Sequence, residues 1–313
     1  MPEAARDGGP SDRGPSSHPD EASKTPALNV LALRVHKLLC REYDCPIPYF
    51  HSLDPLSELV SSLLSHRTKN ADSGRAFKQL RAVMPTWDQV RDAPEPQVRA
   101  LIAPATWPEQ KAPRIQQVLR LITQRTGSLS LDFLADWTED AGRQWLESMP
   151  GVGPKTSAAV LSFSTLRKAA LPVDSHHHRV AMRLGLIPPN TAVGPSHELL
   201  AAQLPKGWSA QQVYDNHEVM MLHGQRCCFP LSPECSRCVL KEICPTGRVR
   251  LGIVETPPET VKERMTKSNT IKDPNPPGHA SEIDAERKMS KTPAARRGRA
   301  KRDAGPTLFP WLE

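Results

Sequence analysis

Through the middle of the chain the apolar residues recur at helical spacing, and at both ends they follow no period. Leu31, Val35, Leu38 and Leu39 recur every three or four residues, which predicts an amphipathic helix over 28–43. Pro46, Pro48 and Pro55 interrupt it, and a second helix is predicted over 55–65, with Leu56, Leu59, Val60, Leu63 and Leu64 on its buried side. The same reasoning predicts helices over 71–83, 86–91, 95–102, 113–126, 140–149, 156–163, 196–204 and 210–224. Another helix starts after a natural N-cap, Asp174 or Ser175, and stops at Gly185. The stretch 129–137 is less regular. No segment alternates strictly enough to demand a strand, so the expected fold class is all-α.

The ends differ in kind. Residues 1–27 and 247–313 are rich in Pro, Gly, Ser and charge with little apolar content, and are expected to be disordered tails flanking a fold that ends near 246–252. The formal net charge of +7 is unevenly placed. Residues 28–246 hold 24 Lys and Arg against 20 Asp and Glu, whereas 287–302 hold 8 Lys and Arg and no acid. A basic balance fits a nucleic-acid partner, and the C-terminal tract would add salt-dependent affinity for it. No run approaches the roughly 18 apolar residues of a membrane span. Acids at Glu3, Asp7, Asp12, Asp20 and Glu21 fit neither a signal nor a transit peptide. An intracellular protein with no membrane partner is therefore expected.

Five of the seven cysteines fall between 227 and 244, and such a cluster in an intracellular chain favours a metal over disulfides. Cys228, Cys235, Cys238 and Cys244 follow the pattern C-x6-C-x2-C-x5-C, in which Pro230, Pro233 and Pro245 turn the chain and direct the thiolates inward. Zinc also takes four thiolates, but zinc ribbons usually draw them from two C-x2-C pairs, and only one is present. Cys40, Cys45 and Cys227 fall outside the spacing and are expected to be bystanders. His176, His177 and His178 are consecutive on a predicted helix, where neighbours point about 100° apart, so they are not expected to share a metal.

Between two predicted helices lies Met149-Pro150-Gly151-Val152-Gly153-Pro154-Lys155-Thr156. Gly151 and Gly153 can take positive φ and bring the backbone close to another surface, and Pro154 suits a first helical position. Free N–H groups at such a helix start make a site for an anion such as a phosphate. Pro-Gly-Val-Gly-x-Lys between helices, Val173-Asp174-Ser175-His176 beyond it, and the four-cysteine loop after His223-Gly224 together resemble the helix-hairpin-helix DNA glycosylases of the endonuclease III family. The resemblance spans about 28–246. It implies two helical domains with a DNA-binding cleft between them: a helical barrel over 51–165, and a second domain of 28–50 plus 166–246 around a [4Fe-4S] cluster held by Cys228, Cys235, Cys238 and Cys244.

The resemblance also assigns roles. Lys155 would be the nucleophile, an amine that attacks the sugar C1′ and forms a Schiff base; its plain alternative is a surface lysine on a phosphate. Asp174 would be the essential carboxylate, or simply a helix cap, or both. Gly151, Val152 and Gly153 would hold the DNA backbone. His66 and Arg67 stand where relatives carry a Gln that fills the gap left by a flipped base, unless 65–70 is an ordinary polar turn. The implied activity is excision of damaged, chiefly oxidised, pyrimidines from double-stranded DNA with lyase cleavage at the resulting abasic site. A monofunctional glycosylase for another lesion or mismatch, and a non-catalytic DNA binder, remain as alternatives. The chain is expected to act as a monomer, and Leu308-Phe309-Pro310-Trp311 forms a short apolar island suited to weak protein docking.

Overall fold

The computed structural model describes residues 19–254. The basic tract 287–302, the island 308–311 and most of the expected N-terminal tail lie outside the described residues. Among the described residues the secondary structure is entirely helical, with α1 (Pro19–Tyr43), α2 (Pro55–Ser65), α3 (Asn70–Val83), α4 (Trp87–Asp92), α5 (Glu95–Leu101), α6 (Pro108–Thr126), α7 (Glu139–Glu147), α8 (Pro154–Phe163), α9 (Ser175–Leu184), α10 (Val193–Ala201), α11 (Ala210–Arg226) and α12 (Pro245–Arg250). Short 3-10 turns occupy Asp132–Asp136 and Cys235–Arg237.

The largest boundary differences from the sequence reading are at α1 and α6; α10 lies three residues earlier than expected and α12 was not expected. α1 begins at Pro19 and so runs into the expected tail. A proline suits a first helical position, because its ring needs no N–H there. α6 begins at Pro108, not near 113, and carries Pro113 in its interior. Trp107 in the left-handed region sets the turn before it, and Pro108 again serves as a first residue. Local chemistry explains other ends: Asp54 accepts the N–H groups of Leu56 and Ser57, and Thr86 with Gln89 and Ser209 with Gln212 form capping boxes.

The buried apolar side chains form two large groups. One joins α2 through α8 and includes Leu59, Leu80, Ile102, Ile115, Leu119, Leu134 and Leu161. The other joins α1 to α9, α10, α11 and the cysteine segment through Val35, Leu39, Val173, Val180, Val213 and Leu240. A small aromatic seam of Phe163, Tyr214, Tyr49 and Phe50 lies between them. Tyr49 stacks on Tyr214 at 4.0 Å between ring centres, Phe163 meets Tyr214 edge-on at 5.8 Å, and the Tyr214 hydroxyl donates to the Pro48 carbonyl at 3.2 Å. α8 packs against α2 and α7 of the first group and against α10 and α11 of the second, and its last residue, Phe163, lies in the seam.

Candidate active site

The turn into α8 depends on Gly151 for two reasons. Its φ is +80°, and a Cβ there would lie 2.7 Å from the Arg114 guanidinium. Gly153 differs: with φ −111° and ψ −179° its backbone is extended, and a Cβ would meet nothing within 4 Å. The expectation of positive φ therefore applies to Gly151 alone. Val152 is buried in the first core and pins the tip of the hairpin, while Gly153 caps α8 without any side-chain hydrogen bond. Ser157 Oγ donates to Glu147 Oε1 at 2.6 Å and ties α8 back to α7. Lys155 stands in this first turn, half-buried.

Asp174 does cap a helix. Its Oδ1 accepts the His177 N–H at 2.7 Å, one residue after Val173 donates its own N–H to His197 Nε2 at 3.0 Å. Burial works against ionisation of Asp174, but His217, the His177 N–H and the imidazoles of His177 and His176 outweigh it and hold the carboxyl below its ordinary value. His217, on α11, is 3% exposed. Burial pushes its imidazole down to about 4; Asp174 acts against that shift and Lys155 adds to it, so both predicted site residues lie within electrostatic reach of one ring. The adjoining Glu218 is also buried, and desolvation together with Asp174 and Asp215 pushes its carboxyl up to about 8.

The three consecutive histidines part company. His176 Nδ1 accepts from Arg179, His177 is buried against His217 at 5.8 Å between ring centres, and His178 Nε2 donates to the Thr191 carbonyl. At the α9–α11 crossing, a Cβ on Gly224 would fall 2.8 Å from His176 Cβ, so glycine permits the approach that brings the two helices together.

The turn after α2 places His66 beside the hairpin: its Nε2 is 2.9 Å from Thr156 Oγ1. Burial, with Lys155 and Lys111 nearby, pushes His66 down to about 4. Arg67 takes φ +50° and lies exposed, its guanidinium carbon 5.8 Å from the ring centre of Trp107, which is itself at φ +55° and 45% exposed. Lys111, 8% exposed, supports this arrangement by donating to the Leu64 carbonyl at 2.6 Å, the His66 carbonyl at 2.8 Å and Thr68 Oγ1 at 2.7 Å. Thr68 Oγ1 also accepts the Thr106 N–H at 3.0 Å, which joins the turn to the segment carrying Trp107.

Cys228, Cys235, Cys238 and Cys244 line a single recess, with Val180, Leu184 and Leu240 as apolar wall, and none of the four is in a disulfide. The Leu240 and Gly247 N–H groups donate to the sulfurs of Cys238 and Cys244 at 3.3 Å each, and Arg183 donates to Cys228 Sγ at 3.2 Å. Burial pushes the Cys238 thiol up to about 12 and raises that of Cys244. Three residues treated as outsiders need correction. Cys227 is buried in the same recess, where its sulfur, Cys238 Sγ and a His223 ring nitrogen lie within 4.8 Å of one another. Cys40 and Cys45 are joined as a disulfide, because the positive-φ turn at Asp44 folds the end of α1 back until their Cα atoms are 4.9 Å apart.

The sequence reading missed Lys111, Trp107, His217 and Glu218. A lone lysine or tryptophan carries no spacing signal, and His217 and Glu218 were read only as part of a helix. The available cue was that α11 sets the polar residues Asp215, Asn216, His217 and Glu218 together between the apolar pairs Val213-Tyr214 and Val219-Met220.

Residues 60–209 match the HhH-GPD superfamily of base excision DNA repair proteins. The chain is 32% identical to endonuclease III of Thermotoga maritima over 214 residues, which cover 68% of this chain and 93% of that protein. It is 30% identical to a putative DNA glycosylase of Arabidopsis thaliana over 172 residues, 55% of this chain and 57% of that protein. The fold also matches that of an endonuclease III in a trapped covalent intermediate with DNA, with a TM-score of 0.60 and 22% identity over 71% of this chain and 98% of that one.

Proposed function

The chain belongs to the endonuclease III family of base excision repair DNA glycosylases, and from that premise we propose that it releases damaged pyrimidines from double-stranded DNA and then cleaves the strand by β-elimination. What supports the proposal is that Lys155, in the first turn of α8, and Asp174, the N-cap of α9, both act electrostatically on the buried ring of His217.

In this reading the hairpin residues Gly151, Val152 and Gly153 hold the DNA backbone at the uncapped N-terminus of α8, whose N–H groups suit a phosphate. The damaged nucleotide leaves the stack, and the uncharged Lys155 amine attacks C1′ as the base departs. Asp174, held ionised, stabilises positive charge developing at C1′ and takes up the proton that Lys155 loses. The resulting Schiff base acidifies the 2′ proton, and its removal breaks the C3′–O bond. His66 is engaged with Thr156, so Arg67, with Trp107 beside it, is the flat group that enters the vacated stack.

The cysteine recess fits a [4Fe-4S] cluster. Four thiols face one space, N–H donors point at the sulfurs as thiolate acceptors require, and burial disfavours the bare thiolates unless a cationic centre accompanies them. Cys228, Cys235, Cys238 and Cys244 would hold it, and when bound it would supply structural rigidity near DNA, since neither base release nor elimination requires redox chemistry. A brown protein absorbing near roughly 400 nm with about four irons per chain is expected; stoichiometric zinc without iron would overturn the assignment.

Borohydride trapping on a duplex containing an abasic site tests the function. Wild type is expected to give a covalent adduct that Lys155→Ala abolishes. DNA binding without any adduct would refute the lyase step, and an adduct retained in Lys155→Ala would move the nucleophile elsewhere. Base release from a panel of lesion duplexes then tests the preference for oxidised pyrimidines.

A further inference from the structure

One side of the cysteine recess is an imidazole. His223, in the last turn of α11, is 2% exposed, and its two ring nitrogens face different partners. Nε2 lies 3.4 Å from Cys238 Sγ, and Nδ1 lies 3.1 Å from the Tyr43 hydroxyl at the end of α1. The His223 and Tyr43 rings meet edge-on at 6.2 Å between centres. The backbone of the same histidine serves a second cysteine, because its carbonyl accepts the Cys228 N–H at 2.8 Å. His223 thus touches two of the four cysteines proposed to hold the cluster, one through its carbonyl and one through its ring.

The chemistry of the sulfur fixes the direction of these bonds. A cysteine bound to iron is a thiolate, which accepts hydrogen bonds and donates none, so the ring nitrogen beside it must carry a proton. That nitrogen is Nε2. In the neutral ring Nδ1 then keeps its lone pair, and the Tyr43 hydroxyl donates to it, which holds both the tautomer and the orientation of the imidazole. The Leu240 N–H reaches the same sulfur at 3.3 Å, so Cys238 has donors from two segments, the chain just after it and α11. The Cys227 thiol, the other sulfur within reach of the ring, is turned to the Glu234 carbonyl at 3.7 Å.

We infer that Tyr43 and His223 form a hydrogen-bond relay that tunes the cluster: the Tyr43 hydroxyl orients the His223 imidazole, whose Nε2–H donates to the Cys238 thiolate and raises the cluster's reduction potential. This rests on the proposed [4Fe-4S] reading of the recess. Reduction adds negative charge that spreads onto the sulfurs, so a donor to a ligating sulfur stabilises the reduced cluster more than the oxidised one. The relay makes the end of α1, 180 residues away along the chain, part of the surroundings that set the cluster's electronics. Base release and elimination use no redox step, so the effect is read on the cluster and not on turnover.

Three substitutions in the full chain test the relay. His223→Leu removes the donor, His223→Gln keeps an amide N–H near the place of Nε2, and Tyr43→Phe removes only the hydroxyl. Iron per chain, the midpoint potential of the bound cluster and the Fe–S(Cys) stretching frequencies in resonance Raman spectra are measured for each. His223→Leu is expected to keep its iron and to lower the midpoint by about 59 mV, a tenfold change in a one-electron equilibrium, with an Fe–S stretch moved to higher frequency as the thiolate loses its donor. Tyr43→Phe should shift both readings in the same direction by less, and His223→Gln should recover most of the change. A wild-type midpoint and wild-type frequencies in iron-loaded His223→Leu or Tyr43→Phe would overturn the inference, and Tyr43→Phe alone decides it if His223→Leu does not fold. Equal shifts in His223→Leu and His223→Gln would show packing, and loss of iron in both would make the ring a ligand or a structural prop; either result overturns the relay. Wild type holding stoichiometric zinc and no iron would defeat the cluster reading instead, and metal content alone reveals that before any potential is measured.

Discussion

The two glycines of the hairpin look alike in sequence, and replacing them should have opposite consequences. Gly151→Ala forces a residue with a Cβ to φ +80°, which costs about 1–2 kcal/mol. It also puts that Cβ 2.7 Å from Arg114 NH1 and 3.3 Å from Arg114 Cδ, so the guanidinium must move. The far end of an arginine can swing away, and the added penalty is about 1 kcal/mol or less. The sum is roughly 1–3 kcal/mol, equivalent to a fall of about 3–10 °C in thermal midpoint for a chain of this size. Gly153→Ser faces neither difficulty. The backbone is extended, nothing lies within 4 Å, and serine is a better N-cap than glycine, so stability should hold or rise by a few tenths of a kcal/mol, about 0.3. Its side chain, however, enters the open space in front of α8, where the proposed function puts a DNA phosphate, and affinity for an abasic-analogue duplex should fall by about 10-fold for a lost or lengthened backbone contact of about 1.4 kcal/mol. Urea denaturation and fluorescence anisotropy measure the two effects. Gly151→Ala as stable as wild type would refute the strain argument, and Gly153→Ser binding DNA as wild type does would remove the hairpin from the interface.

Three further outcomes follow from buried charge. Glu218 has its carboxyl pushed up to about 8 from an ordinary 4.5, so its contribution to stability is complete below 4.5 and is lost as pH rises through 8; Glu218→Gln should gain on wild type progressively over that window in urea midpoints measured between about pH 5 and 9, and parallel curves would show that the carboxyl is not buried as described. His66, His217 and His223, each pushed down to about 4 mainly by burial, act at the other end: stability should fall as pH drops from 6.5 through 4, and substitution of His217 by Gln should shallow that slope in the same assay. Lys111→Met leaves the Leu64 and His66 carbonyls and Thr68 without their shared donor, and should cost about 1–3 kcal/mol for the most buried acceptor, with looser DNA binding because the His66–Arg67 turn loses its support; an unchanged denaturation midpoint would count against that role.

The helices were legible because their apolar residues recur every three or four positions and their caps are local: Asp54, Thr86, Thr138, Asp174 and Ser209 each accept N–H groups from their own helix. Lys155 and the four cysteines were legible as spacing. What was not legible depends on tertiary contact. Nothing local distinguishes Gly151 from Gly153, because the difference is an arginine from α6 and a backbone angle fixed by the packing of Val152. Cys227 read as a bystander because a spacing rule counts along the chain, whereas the recess is defined by which sulfurs face inward. Pro113 read as a helix start because its ring removes one N–H, yet an exposed turn inside a long helix tolerates that loss when Pro108 already provides a better beginning.

The two groups proposed to react, Lys155 and Asp174, belong to different cores, and on that proposal this decides where the site is vulnerable. Lys155 is carried by a helix whose buried face belongs mainly to the first group of apolar residues, while Asp174 follows Val173 of the second. Neither core fixes the separation between them. That separation is set at the seam, where Phe163, Tyr214, Tyr49 and Phe50 pack, where Arg167 lies 3.5 Å over the Tyr49 ring and donates to the Phe163 and His51 carbonyls, and where His217 on α11 packs against Phe163 at the end of α8 and His177 in the first turn of α9. Aromatic packing of this kind is stiff against sliding but contributes little polar specificity, so the register depends on the few hydrogen bonds that cross it. The bond from Tyr214 on α11 to the Pro48 carbonyl is one of them. A proline carbonyl is a firm anchor because the ring restricts its φ. Loss of such a bond should therefore shift Asp174 relative to Lys155 while leaving both cores folded, so the earliest sign of damage at the seam is a slower reaction and not an unfolded protein.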